Sequence, residues 1–147
     1  MNKEEIIKNF PVQKPYRYID DIISLSEEEI VGSYRFKDNE YFYEGHFPGD
    51  PITPGAILQE SAAQIGLLAF GMHLLGSRDE LNIDAKFFLG SSDLKFLGVV
   101  KPGDQIIVSS KLLRFRFNTI KCKISITSTA DQVVCKGTMT GFVQVKT

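Results

Sequence analysis

The sequence contains few of the features that mark secreted, metal-binding or membrane-spanning proteins. Its only two cysteines, Cys122 and Cys135, lack metal-ligand spacing and lie in alternating, strand-like runs, so we expect buried free thiols in a reducing compartment. The longest apolar stretch, Ile65–Leu75, covers 11 residues and is too short to span a bilayer. The segment Met1–Glu5 carries acids and no apolar segment follows it, so no signal peptide is expected. These absences predict a cytoplasmic protein without a membrane span or a metal site.

The sequence also lacks an overall excess of positive charge. Its formal net charge is −1, whereas domains that bind nucleic acid usually carry a strong basic excess, so we expect no nucleic acid partner. The charge is nevertheless uneven: residues 1–85 hold seven Lys/Arg and 15 Asp/Glu, whereas residues 86–147 hold ten and three. Two interpretations remain open. Strands from both halves interleave and cancel the asymmetry, or the second half forms a basic surface for an acidic partner.

Hydrophobic periodicity predicts a single α+β domain over residues 1–147. One long helix is expected to begin at Pro54 or Gly55 and to end near Gly76, because proline is favoured in the first helical turn and glycine at helix ends. This helix is apolar on nearly every side, which indicates a central position. A weak helix is predicted at residues 2–9, and about six strands are predicted from runs at 16–25, 29–37, 85–89, 94–100, 105–117, 120–126 and 133–145.

The simplest arrangement of these elements is an antiparallel sheet wrapped around the central helix. Lys101–Asp104 has proline and glycine in the central positions of a turn, which is typical of type II. The apolar phase changes within 105–117, which predicts a bulge. A single sheet over one helix leaves free edges and an open flank, so we expect the protein to dimerise.

His46 lies just before a segment that is rich in proline and glycine. Between Gly45 and Gly55 there are three prolines and three glycines in eleven residues, and such residues define one backbone path. A loop of this kind usually places a side chain. The candidate is His46, because an imidazole can act as a base near neutral pH; the alternative is an ordinary surface histidine.

Glu60 is a carboxylate on an otherwise apolar helix. Burying a lone charge is costly, so the group must be paired, hydrogen-bonded, solvated or protonated. It is either a solvated residue on an exposed strip or a general acid with a raised pKa. Gln64 lies four residues further on the same face and can donate to it, while Gly55 leaves an unpaired N–H at the helix start that can polarise a carbonyl. A base, an acid and an oxyanion donor are what abstraction of a proton α to a carbonyl requires.

These residues together resemble the signature of the 3-hydroxyacyl-[acyl-carrier-protein] dehydratases of the FabZ type. The resemblance rests on Gly45–Gly49, Pro51, Pro54–Gly55, Glu60 and Ala63–Gln64, and it extends to residues 15–22, 93–96 and 100–105. That family has the hotdog fold, a curved antiparallel sheet around one helix, in agreement with the arrangement predicted above. The related FabA branch has Asp at the position of Glu60, which favours the FabZ type.

The resemblance implies a role for each site residue. His46 would abstract the C2 proton of a (3R)-3-hydroxyacyl thioester and Glu60 would protonate the leaving hydroxyl, without a cofactor. Gly55 N–H would polarise the thioester carbonyl and Gln64 would orient Glu60. Further substrate-binding positions implied in the same way are Phe47, Pro54, Phe87 and Phe88.

The resemblance also implies the partners. The substrate would arrive on acyl carrier protein, an acidic partner, and leave as the trans-2-enoyl form in fatty acid or related acyl synthesis. His46 and Glu60 would come from opposite subunits of a homodimer, which in this family often assembles into a trimer of dimers. Two alternatives remain. A hotdog thioesterase generally lacks this His-to-Glu spacing, and a non-catalytic acyl-carrier-binding subunit usually loses a catalytic residue, whereas this chain keeps both.

Overall fold

The computed structural model describes residues 1–76, 86–129 and 131–144, which form six strands and a long helix. The strands are β1 (Asp21–Leu25), β2 (Glu29–Arg35), β3 (Lys86–Phe96), β4 (Gln105–Arg116), β5 (Thr119–Ser128) and β6 (Val133–Gln144). A short helix α1 (Lys3–Lys8) precedes them, and a 3-10 helix covers Tyr41–Glu44. The central helix consists of α2 (Gly55–Ala63), a π-helical segment (Gln64–Ala69) and α3 (Phe70–Gly76).

The six strands form one antiparallel sheet in the order β1-β2-β4-β5-β6-β3. Alternate strand residues are buried toward the central helix, as in β5, where Ile120, Cys122, Ile124 and Ile126 are buried and the residues between them are not. Every residue of the π-helical segment is buried as well. The prediction of a hotdog fold is therefore confirmed. None of the helices in the described ranges has the length and apolarity needed to cross a membrane.

Two glycines allow the central helix to lie close to the sheet. A Cβ at Gly66 would lie 2.8 Å from Ile124 Cδ1 and 3.0 Å from Ser110 Cβ, and a Cβ at Gly71 would overlap the Phe87 ring. Because the helix and the sheet are this close, Ser110 Oγ donates a hydrogen bond to the Gly66 carbonyl, at 2.9 Å. The absence of a side chain at both glycines thus sets the distance between the helix and the inner face of the sheet.

Two predicted strand assignments were wrong. The runs at 85–89 and 94–100 were predicted as two strands, but residues 86–96 form one strand, β3, whose register shifts between Leu89 and Ser91. Residues 97–100 lie beyond the end of this strand, and Ala85 lies outside the described residues. This bulge breaks the alternation of apolar residues, so the sequence pattern suggested two strands. Residues 16–20, predicted as the start of a strand, are not part of the sheet because their backbone groups pair in part with helix side chains.

Other local predictions are confirmed. Asp104 N–H donates to the Lys101 carbonyl at 3.0 Å, and Gly103 has a φ of +88°, as a type II turn requires. The register of β4 shifts between Leu112 and Arg114, where the apolar phase changes in the sequence. These features depend on local residue chemistry, which explains why the sequence predicted them.

Both cysteines are free and buried, as predicted. Burial raises the pKa of Cys122 and of Cys135 to about 11, because a thiolate is poorly solvated in the core. Thiols of this kind are structural rather than reactive.

Strand β3 forms one edge of the sheet. Among the described residues it pairs only with β6, although it covers eleven residues. Large apolar side chains on and just beyond it are 41–55% exposed: Phe88, Leu89, Phe96, Leu97 and Val99. A long, apolar edge with unpaired backbone groups is a template for pairing with another strand.

Candidate active site

Glu60 lies in a cleft between the central helix and the sheet. The cleft has a volume of about 120 Å³. Its walls include Ala63, Leu67 and Leu68 from the helix and Phe87, Phe88 and Ile120 from the strands. Among the residues that line this mainly apolar cleft, Glu60 is charged and Gln64 is polar. The fold thus brings Glu60 together with three other predicted site residues, Gln64, Phe87 and Phe88.

The carboxamide of Gln64 is held by three further groups around it. Its Oε1 accepts a hydrogen bond from Tyr18 N–H at 2.7 Å, and its Nε2 donates to the Tyr16 carbonyl at 2.7 Å and to Glu60 Oε2 at 2.9 Å. Because one backbone partner can only donate and the other can only accept, the amide cannot be flipped. Gln64 therefore presents an N–H to Glu60, in the orienting position that the resemblance implies.

The environment of Glu60 favours its neutral form. Burial raises the pKa of Glu60, while the hydrogen bond from Gln64 opposes this rise and is the smaller effect. The pKa of the nearby Tyr16 hydroxyl is also raised, first by burial and then by the negative charge of Glu60. A carboxylic acid that keeps its proton toward neutral pH can serve as a general acid.

The raised pKa predicts how stability depends on pH. Below the pKa of an unfolded Glu, about 4.3, Glu60 is protonated in both states and the favourable contribution of its half-buried neutral form is fully present. As the pH rises through the folded-state pKa, the folded protein must ionise a half-buried group, so this contribution is lost. Denaturant unfolding between pH 4 and 8 should show the wild type losing stability relative to Glu60→Gln as pH rises. The opposite slope would contradict the raised pKa.

His46 is held with one ring nitrogen free. Its Nδ1 lies 2.9 Å from the Ile52 carbonyl oxygen, and because a carbonyl only accepts, the hydrogen of the neutral ring is on Nδ1. Nε2 therefore keeps its lone pair and can accept a proton. The ring stacks on Phe47, with centroids 4.2 Å apart, and a cis peptide bond joins the two residues. Phe47 itself is 52% exposed.

The loop that carries His46 is attached to the rest of the fold at several points. Ile52 N–H donates back to the His46 carbonyl at 2.9 Å, and Thr53 N–H donates to the Val100 carbonyl at 2.8 Å. The Thr53 and Tyr43 hydroxyls share a buried hydrogen bond of 2.6 Å. The proline–glycine segment thus has one defined path, as the sequence suggested, and it fixes the tautomer as well as the position of His46.

Gly55 begins the central helix directly after Pro54. The Pro54 carbonyl accepts hydrogen bonds from Ile57 and Leu58, whereas Gly55 N–H has no acceptor among the described residues. A free N–H at a helix start favours negative charge. The Phe96 ring would lie 3.3 Å from a Cβ at Gly55, so glycine leaves room beside this donor.

One chain does not bring all of these groups into one place. His46, Phe47, Pro54 and Gly55 do not line the cleft that contains Glu60. In the described part of the chain, no hydrogen bond or ion pair joins His46 to Glu60. Nor do three His, Cys, Asp or Glu side chains cluster as a metal site there; the lack of a metal or cofactor stays a prediction.

Sequence reasoning missed the residues that hold Gln64. Ser61 Oγ donates to the Tyr18 carbonyl at 2.8 Å, and the backbone of Tyr16 and Tyr18 contacts Gln64 as described above. The signal in the sequence that could have indicated these contacts was Ser61, a buried polar residue one position after Glu60 on an apolar helix. Its partner could not be identified because it is a backbone group 43 positions away.

Comparison with known proteins identifies the family of this chain. A family model described as a FabA-like domain matches residues 10–139. The 3-hydroxyacyl-[acyl-carrier-protein] dehydratase FabZ of Syntrophobacter fumaroxidans is 37% identical over 122 residues, which cover 82% of this chain and 80% of that protein. The FabZ of Petrotoga mobilis is 36% identical over 133 residues, 90% of this chain and 91% of that protein.

Solved structures of low sequence identity share the fold. A chain of the dehydratase heterocomplex ApeI:P from Xenorhabdus doucetiae superimposes with a TM-score of 0.79 at 14% identity, covering 96% of this chain and 91% of that one. A hypothetical thioesterase from Streptococcus pneumoniae with coenzyme A gives 0.61 at 19% identity, covering 86% of each chain. The fold alone is thus common to dehydratases and thioesterases, whereas the sequence relatives are dehydratases. The chain belongs to the FabA-like family, among its FabZ-type dehydratases.

Proposed function

We propose that this protein dehydrates (3R)-3-hydroxyacyl thioesters on acyl carrier protein to trans-2-enoyl thioesters in the cytoplasm, for fatty acid or related acyl synthesis. The observation that carries the proposal is Glu60, a carboxyl group with a raised pKa at an otherwise apolar cleft, oriented by Gln64. The cleft suits an acyl chain, and the acid suits the departure of a hydroxyl group. The dehydratase names of the curated relatives support the same assignment.

His46 supplies the base in this mechanism. Nε2 removes a proton from C2 of the substrate, next to the thioester carbonyl, while Nδ1–H remains bonded to the Ile52 carbonyl. Negative charge develops on the thioester oxygen as the C2–H bond breaks. Gly55 N–H, free and at the positive end of the helix, stabilises that charge; loss of one such donor costs about 3–4 kcal/mol in other enzymes.

Glu60 supplies the acid. Its proton passes to the C3 hydroxyl, the C3–O bond breaks with release of water, and the electrons of the former C2–H bond form the C2–C3 double bond. At this point His46 is protonated and Glu60 is ionised. The cycle closes when the imidazolium proton returns to Glu60, which its raised pKa favours.

The reaction requires His46 and Glu60 on opposite sides of one substrate, and a second copy of the chain would meet this requirement. The unpaired edge of β3, with its exposed apolar side chains, supports antiparallel pairing with β3 of a second subunit. Each subunit would then contribute His46 to one site and Glu60 to the other. Association of such dimers into a hexamer is the further arrangement that the family resemblance implies.

Mixing two inactive variants tests both the reaction and the shared site. If His46 and Glu60 act across the interface, a mixed dimer of His46→Ala and Glu60→Gln subunits contains one intact site and one doubly changed site. Random pairing of equal amounts then restores about one quarter of the wild-type activity. Co-expressed subunits with different tags allow the mixed dimer to be isolated and assayed for carrier-bound enoyl product.

The same assay separates the alternatives. Each homodimeric variant is the control and should remain inactive. No activity in the mixed dimer would mean that both residues act within one subunit. Release of free carrier thiol without enoyl product would identify a thioesterase, and carrier binding without turnover by the wild type would identify a non-catalytic subunit.

A further inference from the structure

Tyr18 is a fully buried residue in which all three polar groups are hydrogen-bonded. Its exposed fraction is 0%. The backbone N–H donates to Gln64 Oε1 at 2.7 Å, and the carbonyl accepts from Ser61 Oγ at 2.8 Å. The hydroxyl shares a hydrogen bond of 3.0 Å with the Tyr41 hydroxyl. Tyr18 belongs to neither a helix nor a strand, so its position depends on these contacts and on the packing of its ring.

The backbone of Tyr18 contacts the residues that orient the acid. Gln64 and Ser61 both lie on the central helix close to Glu60, and both are buried. Gln64 can present Nε2 to Glu60 Oε2, at 2.9 Å, because the N–H of Tyr18 occupies the other end of its carboxamide. The bond from Ser61 holds the carbonyl of the same residue. A shift of the Tyr18 backbone would therefore move the amide that orients Glu60.

The side chain of Tyr18 contacts the 3-10 helix that precedes the base. Its hydroxyl bonds to Tyr41, the first residue of that helix, and its ring meets the ring of Phe42 edge-on, with centroids 6.2 Å apart. The Phe42 carbonyl in turn accepts the backbone N–H of His46 at 3.1 Å. A single hydrogen bond therefore separates His46 from a residue against which Tyr18 packs.

The hydroxyl of Tyr18 does more than fill space. The ring packs edge-on against Tyr16, Tyr34 and Phe42, and a phenylalanine could make the same ring contacts. A buried hydroxyl requires a partner, and Tyr41 supplies it, although Tyr41 itself is 53% exposed. Burial and the contact with Tyr41 raise the pKa of Tyr18, so the hydroxyl stays protonated and bonded near neutral pH. The pair thus attaches the start of the 3-10 helix to a fixed point in the core.

We propose that Tyr18 is a positioning residue for both catalytic groups of its subunit, acting on Glu60 through Gln64 and on His46 through the 3-10 helix; the roles of Glu60 and His46 rest on the proposed function. In a dimer with shared sites, these two groups serve different sites. Tyr18 then ties the acid of one site to the base of the other, and the Tyr18–Tyr41 hydroxyl pair is the contact that joins the two halves of this support.

Removal of the hydroxyl pair separates positioning from stability. Tyr18→Phe keeps the ring and the backbone contacts, and it should lower kcat about tenfold with little change in KM, because small displacements of catalytic groups are costly. Tyr41→Phe leaves the Tyr18 hydroxyl buried without its partner and should unfold at the lowest denaturant concentration. The double variant Tyr18→Phe/Tyr41→Phe should regain stability, whereas its kcat should stay as low as that of Tyr18→Phe. Recovery of kcat together with stability would overturn the positioning role.

The mixed dimer of the preceding section tests the two effects one at a time. Its intact site takes Glu60 from the His46→Ala subunit and His46 from the Glu60→Gln subunit. Tyr18→Phe is added to one subunit or to the other, and product formation is compared with that of the unmodified mixed dimer. We expect a fall in both placements. An unchanged rate in either placement would show that Tyr18 does not position both groups and would overturn the proposal.

Amide hydrogen exchange tests the support without turnover. In Tyr41→Phe, the backbone amide of Tyr18 should exchange about tenfold faster, and in Ser61→Ala the amide of His46 should do so, because each change loosens the far end of the same support. The amide of Thr53, which is bonded in the same loop as His46, is the internal reference. A rise at Thr53 as large as that at Tyr18 and His46 would indicate general loosening and would overturn the proposal.

The matched control is Ser110→Ala. It removes another buried hydroxyl that bonds to the central helix, the donor to the Gly66 carbonyl, and it leaves every contact of Tyr18 in place. Its kcat should stay within about twofold of wild type, with exchange at Tyr18 and His46 unchanged relative to Thr53. Equal effects in this control would overturn the proposal.

The exchange data also separate this proposal from the proposed function. If the wild type does not dehydrate the substrate, but exchange at Tyr18 and His46 responds as expected, the dehydratase mechanism is overturned and the shared support is upheld. If exchange at Tyr18 and His46 is the same in wild type, Tyr41→Phe and Ser61→Ala, the positioning role of Tyr18 is overturned even where dehydration is observed.

Discussion

His46→Ala should lower kcat for dehydration of a carrier-bound 3-hydroxyacyl substrate by about 10²–10⁴-fold, the usual contribution of a positioned general base. The variant leaves every other residue of the loop unchanged and removes the imidazole. The lost ring includes Nε2, which remains free when Nδ1 donates to the Ile52 carbonyl. KM should change little, because His46 does not line the apolar cleft. Mass spectrometry of the carrier, which detects the loss of one water, measures the rate.

His46→Asn separates the role of His46 as a base from its role in positioning the loop. An asparagine amide can donate toward the Ile52 carbonyl, as Nδ1 does, but it cannot accept a proton from carbon. We expect it to be as inactive as His46→Ala while unfolding at a higher denaturant concentration. Recovery of activity in His46→Asn would mean that the histidine only positions the loop.

Glu60→Gln should reduce kcat by a similar factor, about 10²–10⁴. The substitution keeps the shape of the side chain, and its carbonyl oxygen can still accept the hydrogen bond from Gln64. What is lost is the acidic proton that the leaving hydroxyl requires. Because the substitution also removes a half-buried ionisable group, the protein should remain folded at neutral pH, so lost activity cannot be attributed to unfolding.

Glu60→Asp is the matched comparison, since it retains an acid on a shorter side chain. We expect activity between that of wild type and that of Glu60→Gln. The alkaline limb of the pH–rate profile of Glu60→Asp should report the pKa of the acid. Activity falls at high pH because the group loses its proton before the reaction. Full activity in Glu60→Gln would show that another group protonates the hydroxyl.

Local chemistry explains which parts of the fold could be predicted from the sequence. The central helix was identified because Pro54, Gly55 and Gly76 mark its ends and apolar residues fill it. The site residues were predicted because Glu60 is an ionisable residue that an apolar helix has to accommodate. The π-helical segment, Gln64–Ala69, carries no such sign. It depends on close packing against strands far away in sequence, through Gly66 and Ser110.

The uneven distribution of charge along the chain is a second feature whose interpretation depends on contacts between residues distant in sequence. The sequence allowed two interpretations, because strands that are close in sequence need not be neighbours in the sheet. The observed strand order places β4, β5, β6 and β3 side by side, so their lysines and arginines gather on one face. Strand order is set by nonlocal pairing, and it excludes cancellation of the charges by interleaving, whereas the acidic partner stays a prediction.

The saturated hydrogen bonding of Gln64 has a consequence for the direction of proton transfer. Oε2 of Glu60 already accepts an N–H from Gln64, and a carbonyl oxygen is the better acceptor, so a neutral Glu60 favours its hydrogen on Oε1. The two oxygens of the carboxyl group are therefore not equivalent, and Oε1 is the preferred donating atom. A side chain with an unconstrained partner would let either oxygen donate. In the proposed mechanism the proton would therefore leave from Oε1, the carboxyl oxygen that does not contact Gln64.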